Sequence, residues 1–208
     1  MSVTPQRCGV LLAGGRSTRF GGSPKGLAAL GATRVCEYAL RALADVCDEV
    51  VIAANDANAA SWFPDHRIFP DRTAGRGALG ALETALLAAA GRIAVVCAWD
   101  MPFVTAAMLD EFARIVEGGE SCCVPLHADG RHEPLCAAYA PSCGLRASGL
   151  LARGERAAHM LCESAGGHRW PIASHLDAEH AVRAFHNINT TDDLALAATW
   201  LADVPAAR

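Results

Sequence analysis

The sequence predicts a single three-layer α/β/α domain built on a mostly parallel, twisted, Rossmann-like sheet with helices on both faces. Three observations carry that prediction. Short apolar runs without polar alternation, "CGVLLA" at 8–13, "EVVIAA" at 49–54 and "IAVVCAW" at 93–99, have the pattern of strands buried on both faces. Stretches with apolar residues at helical spacing, 35–46 and 78–90, separate these runs, so strand, helix and strand alternate in the order that right-handed crossovers turn into a parallel sheet. A chain of 208 residues that is 52% hydrophobic can bury one sizeable core, and its low aromatic content of 6% implies close helix-to-sheet approach rather than packing of large rings.

The elements follow in order. The first run ends in a Gly-Gly pair and opens the stretch "LLAGGRSTRFGGSPKG" at 11–26, where glycine permits close approach of a ligand and Arg16, Arg19 and Lys25 offer positive charge. A helix over 35–46 leads to the second strand, 67–69 is a short third, and an alanine-rich helix over 78–90 leads to the fourth at 93–99. The second half is less regular. A helix is expected over 106–116, strands over 121–125 and 134–139 around a His-Ala-Asp-Gly turn at 127–130, and mostly helix over 147–165. A last short strand is expected over 185–189. Thr190 or Thr191 then caps a terminal helix whose first turn holds Asp192 and Asp193, where the dipole favours negative charge.

The net charge of −4 offers no general attraction for nucleic acid or an anionic membrane, so phosphate affinity has to be local and the expected partner is a small anionic ligand. The nine cysteines are scattered, form no CxxC pair and read as small apolar fillers in a reducing compartment. Cys122 and Cys123 point to opposite faces if their segment is a strand. No targeting or membrane segment is read from the sequence, and a soluble, cytoplasmic protein is expected.

In open parallel sheets ligands sit beyond the carboxyl ends of the strands, which singles out Gly14, Gly15, Arg19 and Lys25 after the first strand, Asn55 after the second, Asp71 after the third and Asp100 after the fourth. The opening loop is neither a Walker motif, since no Ser or Thr follows Lys25, nor a GxGxxG fingerprint, since its glycines come as adjacent pairs. It remains a loop whose backbone N–H groups could line a triphosphate while Arg19 and Lys25 neutralise it. Asp100, in "CAWDMPF", suits Mg2+ held jointly by protein and phosphate oxygens. Asp71 either binds a ligand or turns the chain after Pro70. The glycines at 75, 77 and 80 permit close backbone approach to a flat ligand or tight helix packing. His127, Asp129, His132 and Glu133 lie beside a Gly, the ordinary composition of a solvent-facing turn, and the remaining histidines show no metal-ligand spacing. Asn187 and Asn189 would share a face if their segment is a strand.

Taken in order, these residues resemble a known family. "LAGGRSTRFGGSPKG" is similar to the LAGGxSxRxGxxK signature of nucleotidyltransferases, and with Asn55, Asp71, "GALGAL", "WDMPF", "HEPLCAAY" and "NINTTDDL" it resembles the molybdenum cofactor guanylyltransferases over residues 8–200. This chain has Ala78 and Thr191 where the family often has Pro. The resemblance implies a single domain of the nucleotide-diphospho-sugar transferase type, 1–208, with its nucleotide-binding part over about 8–104 and its acceptor side over about 105–200. It implies that Leu12, Ala13, Gly14 and Gly15 contact a guanine nucleotide, that Lys25 binds its phosphates, and that Asn55 and Asp71 hold the guanosine part. Asp100 would bind Mg2+, Asn187 and Asn189 would lie near molybdopterin, and Lys25, Asp100 and Arg19 would stabilise the charge that spreads during transfer of GMP from GTP. Transient contact with molybdopterin-loading proteins or apo-molybdoenzymes is a further implication. A sister enzyme using CTP or another phosphorylated acceptor, and a non-catalytic molybdopterin carrier, are the alternatives; a carrier has no use for a metal-activated triphosphate site.

Overall fold

A computed structural model describes residues 6–14, 24–73 and 75–202, so Gly15, Arg16 and Arg19 lie outside the described residues. Its centre is a seven-stranded sheet of β1 (Arg7–Leu12), β4 (Glu49–Ala53), β5 (Ile68–Phe69), β6 (Ile93–Ala98), β7 (Cys122–Leu126), β8 (Cys136–Tyr139) and β9 (His168–Pro171), in the spatial order β5-β4-β1-β6-β8-β7-β9. All pairings are parallel except those of β8, which runs antiparallel to both β6 and β7. The expected fold class is therefore the observed one. A separate two-stranded ribbon, β2 (Ala29–Leu30) and β3 (Thr33–Arg34), turns through Gly31 at φ +62°.

Alternation along the strands divides the core in two. Leu11, Ile52, Val95, Cys97 and Cys123 pack under α1 (Val35–Ala44) and α4 (Ala106–Glu117). Val10, Val51, Ala94, Val96 and Cys122 pack under α3 (Gly77–Ala88), α5 (Ser142–Ala152) and α6 (His159–Ala165). Cys122 and Cys123 thus face opposite layers, as their neighbouring positions on a strand require. The small residues of α3, "GALGALETALLA", let that helix lie close to the sheet. Between β4 and β5 lies the short α2 (Ala59–Trp62). After β9 come α7 (Ile172–His175), α8 (Ala178–Ala184) and α9 (Thr191–Ala202), and α9 closes a third small cluster of Leu30, Val35, Ile188 and Ala197.

The cap residues behave as their chemistry demands. Thr105 accepts from the Met108 amide at the start of α4. Thr190 accepts from the Asp193 amide while Asp193 accepts from the amides of Thr190 and Asn189, a reciprocal cap that fixes the entry to α9.

The second half corrects the sequence reading in two places, 185–189 and β9, and refines it in a third, the mostly helical 147–165. Residues 185–189 form no strand: the Ile188 amide donates to the Asp100 carbonyl, a single clasp rather than a ladder. The helical stretch over 147–165 is two helices, α5 and α6, broken at Gly154, whose φ of +94° no helix accommodates. The edge strand β9 was not expected, because "HRWP" buries only Trp170 and carries none of the apolar continuity of the central strands.

All nine cysteines are free, and most are buried. Burial disfavours the thiolate, pushing the Cys36 thiol up to about 11 and those of Cys47, Cys123, Cys143 and Cys162 up to about 12. A thiol whose pKa is raised by folding ionises first in the unfolded chain, so stability is fully present below the ordinary thiol value and is lost as pH rises toward 12. Melting temperature should accordingly fall progressively from pH 9 upward. At pH 8 an aromatic disulfide reagent should label the native chain slowly and all nine thiols after denaturation. Rapid labelling of several thiols in the folded protein would contradict this packing.

Candidate active site

The site is assembled along one rim of the sheet. The C-terminal ends of β5, β4, β1 and β6 carry, in spatial order, Asp71, Asn55, Gly14 and Asp100. Because β8 is antiparallel to β6, the residues that precede β8 arrive at the same rim, which adds Arg131, His132 and Glu133. Together they border a cleft of about 1000 Å³. Its lining combines apolar residues, Leu12, Ala53, Ala54, Ala98 and Met101, with polar and charged side chains that converge on it from several elements.

At the centre lies Asp100, only 6% exposed, directly after the buried strand β6. Its carboxylate makes a close ion pair with the Lys25 ammonium, which also donates to the Asn189 side-chain oxygen at 2.7 Å. Local packing explains the meeting. Lys25 opens a 3-10 turn, Lys25–Leu27, whose Gly26 lies flat on the Trp99 indole: a Cβ at Gly26 would stand 2.4 Å from the ring. Trp99 is in turn stacked on Trp62 with centroids 6.2 Å apart. The pairs Gly26–Trp99 and Lys25–Asp100 are therefore adjacent rungs of one contact, and the aromatic rung sets the charged one.

On one side, Asn55 and Asp71 hold each other: the Asn55 amide donates to the Asp71 carboxylate at 2.8 Å, and its oxygen accepts the Asp71 N–H at 2.7 Å. Gly75 and Gly77 border the cleft with φ of +75° and +64°, conformations that favour glycine. Gly77 is also confined, since a Cβ there would meet the Arg156 carbonyl at 3.1 Å, and that carbonyl accepts the Leu79 amide. Gly80 has a different reason: its missing Cβ makes room for the Arg76 side chain.

On the other side, Glu133 is 9% exposed and borders the cleft. One of its oxygens, Oε1, accepts from His127 Nε2 at 2.8 Å and from the Arg131 guanidinium. The turn itself forms as expected, with the Gly130 amide on the His127 carbonyl and the Arg131 amide on Asp129. The solvent-facing reading fails for Glu133 and half-buried His132, because antiparallel entry into β8 turns them inward. Burial pushes the His132 pKa down, and its Nε2 has no hydrogen-bond partner among the described residues. His159 and Glu163, one turn apart on α6, border the same end of the cleft, although no feature of their sequence spacing marked them.

The structure brings Leu12, Gly14, Lys25, Asn55, Asp71, Asp100 and Asn187 to this cleft. Ala13 is buried under the sheet with its amide on the Ala53 carbonyl and does not border the cleft, and Asn189 touches it only through Lys25. Asn187 and Asn189 are linked by a hydrogen bond from the Asn189 amide group to the Asn187 carbonyl rather than by strand alternation. Among the described residues no group of three or more His, Cys, Asp or Glu could cage a metal ion. The buried Asp100 carboxylate, bordering the cleft, has the hard-oxygen chemistry that would suit a divalent cation shared with a ligand's own oxygens.

This chain is similar to several known proteins. A probable molybdenum cofactor guanylyltransferase of Chloroflexus aggregans is 31% identical over 209 residues, covering 97% of this chain and 98% of that one. The crystal structure of molybdopterin-guanine dinucleotide biosynthesis protein A from Archaeoglobus fulgidus superposes with a TM-score of 0.79 at 25% identity, covering 95% of this chain and all of that one. A Mycobacterium tuberculosis protein crystallised in complex with manganese shares the fold, with a TM-score of 0.68 at 20% identity over 95% of this chain and all of that one. Fold and relatives define a nucleotidyltransferase. More particularly, the chain belongs to the MobA-like NTP transferase family, whose model matches residues 9–169. Among its described residues no helix is long and apolar enough to cross a membrane.

Proposed function

We propose that this enzyme transfers GMP from GTP to the terminal phosphate of molybdopterin, giving the guanine dinucleotide form of the cofactor and pyrophosphate. The observation that carries the reading is the Lys25–Asp100 pair at the centre of a two-sided cleft, with Asn55 and Asp71 on one flank and the 131–133 segment on the other. The names of the relatives, that of the C. aggregans protein among them, favour GTP over CTP and a molybdopterin acceptor over other phosphates. Molybdopterin-loading proteins and apo-molybdoenzymes are the partners from which the acceptor would come and to which the product would go.

The chemistry asks for alignment more than for proton transfer. An oxygen of the acceptor phosphate forms a bond to the α-phosphorus as the bond from that phosphorus to the bridging oxygen breaks, and pyrophosphate departs with the electron pair. Both reactants are anionic, so the enzyme has to offset repulsion and hold the attacking oxygen in line. Lys25 supplies charge where the phosphates would lie, and Arg19, outside the described residues, is proposed to add to it. Asp100 is the residue that would hold Mg2+, which supplies charge neutralisation at the phosphate oxygens when bound. The Asn189 contact keeps the Lys25 ammonium at the boundary between the two flanks.

The test is transfer of label from α-phosphate-labelled GTP, and separately CTP, with Mg2+ and molybdopterin presented on its loading protein. Labelled dinucleotide should form from GTP at least about tenfold faster than from CTP, the discrimination that about 1.4 kcal/mol of base recognition provides. Equal use of the two nucleotides would overturn the guanylyl assignment.

A further inference from the structure

The Glu133 carboxylate is built more elaborately than a turn requires. Oε1 is held by two donors, His127 Nε2 and the Arg131 guanidinium, while Oε2 takes no hydrogen bond from any described residue. Without a partner among the described residues, Oε2 is not sealed from solvent either. A carboxylate that is nearly buried, anchored through one oxygen and bordering a cleft presents the other oxygen as an acceptor to whatever fills that cleft. Along the rim Glu133 lies one strand beyond Asp100, on the side away from Asn55 and Asp71. With strands about 4.8 Å apart, the β4 and β8 positions are separated by about 14 Å, room for a ring system on either side of a phosphate chain.

We propose that Glu133 is a specificity residue for the acceptor, reading the edge of a 2-amino-4-oxo-pyrimidine ring through its ring N–H and exocyclic amine. This rests on the reading of the enzyme as a molybdopterin guanylyltransferase. Guanine displays the same edge, so the shared chemistry has two sources in this reaction. Position on the rim assigns Glu133 to the acceptor's pterin. His127 and Arg131 position the carboxylate and hold Oε1, so only Oε2 is left for the ligand.

The test uses the intact chain and three probes: pterin, its 2,4-dioxo analogue lumazine, and GTP with Mg2+, each followed by fluorescence or calorimetric titration. Wild type should prefer pterin to lumazine by at least about tenfold, because lumazine sets a carbonyl oxygen against the carboxylate where pterin offers an amine. In Glu133→Gln the two donors retain the amide oxygen and turn the amide nitrogen to the cleft. Pterin affinity should then fall about tenfold or more, lumazine should gain, and GTP affinity should stay within about twofold. Glu133→Asp keeps the acceptor and should retain the preference for pterin, even if both affinities drop; thermal melts of both variants report folding. Parallel loss of pterin and lumazine in Glu133→Gln would make Glu133 merely structural and overturn the proposal. A fall in GTP affinity with pterin affinity intact would assign the edge to guanine and likewise overturn it. Failure of wild type to transfer label from GTP would instead sink the guanylyltransferase reading, whereas normal transfer with an unchanged pterin-to-lumazine ratio in Glu133→Gln would sink this inference alone.

Discussion

Asp100→Asn should abolish turnover, with kcat lowered by at least about 10³-fold in the label-transfer assay while the fold persists. The amide keeps the volume of the side chain and an oxygen for Lys25, so the packing of a position that is 6% exposed is preserved and the melting temperature should change little. What disappears is the negative charge at the end of β6, the only described carboxylate that touches Lys25. A cation shared between the protein and a triphosphate would lose its protein anchor. Retention of more than a tenth of the wild-type rate would remove Asp100 from the reaction.

Lys25→Ala should lower kcat/KM for GTP by about 10²–10³-fold, the usual consequence of deleting one charge-stabilising donor. It should also destabilise the protein, by about 1–3 kcal/mol, because a buried carboxylate loses its cation. The two effects separate in the double variant Lys25→Ala/Asp100→Asn. Removing the orphaned charge should recover much of the stability and none of the activity, a non-additivity expected of groups in direct contact. A double variant no more stable than Lys25→Ala would show that the pair contributes nothing to folding.

The side of the cleft formed by β1, β4 and β6 was legible in the sequence for a physical reason. Strands buried on both faces read as continuous apolar runs, so β1, β4 and β6 were visible, and the rule that ligands sit beyond strand ends pointed at Gly14, Asn55 and Asp100. That Asn55 and Asp71 bond reciprocally could not be read from residues sixteen positions apart. The side that carries Glu133 was obscure because its determinants are topological. Glu133 has the local composition of an exposed turn, and only the reversed direction of β8 brings it inside. Residues 185–189, "FHNIN", carry their two buried apolar residues three apart rather than two, and the one clasp of Ile188 onto Asp100 leaves them outside the sheet. For β9, a short edge strand with Pro171 at its end, propensity is weak and pairing with β7 decides the outcome.

The single reversed strand also bears on how such an enzyme can diversify. A parallel strand delivers its functional residue to the rim from its own carboxyl end, through a loop that must then cross over a helix layer. β8 delivers Glu133 from a hairpin tip that hangs off β7 and closes on itself between His127 and Arg131. That tip can lengthen, shorten or change its charges without moving the register of β6 and β1, beyond whose ends Asp100 and Gly14 lie. Under the proposed assignment of Glu133, acceptor choice is thereby detachable from nucleotide chemistry, and one hairpin is the part by which the same transfer reaction would be handed from substrate to substrate.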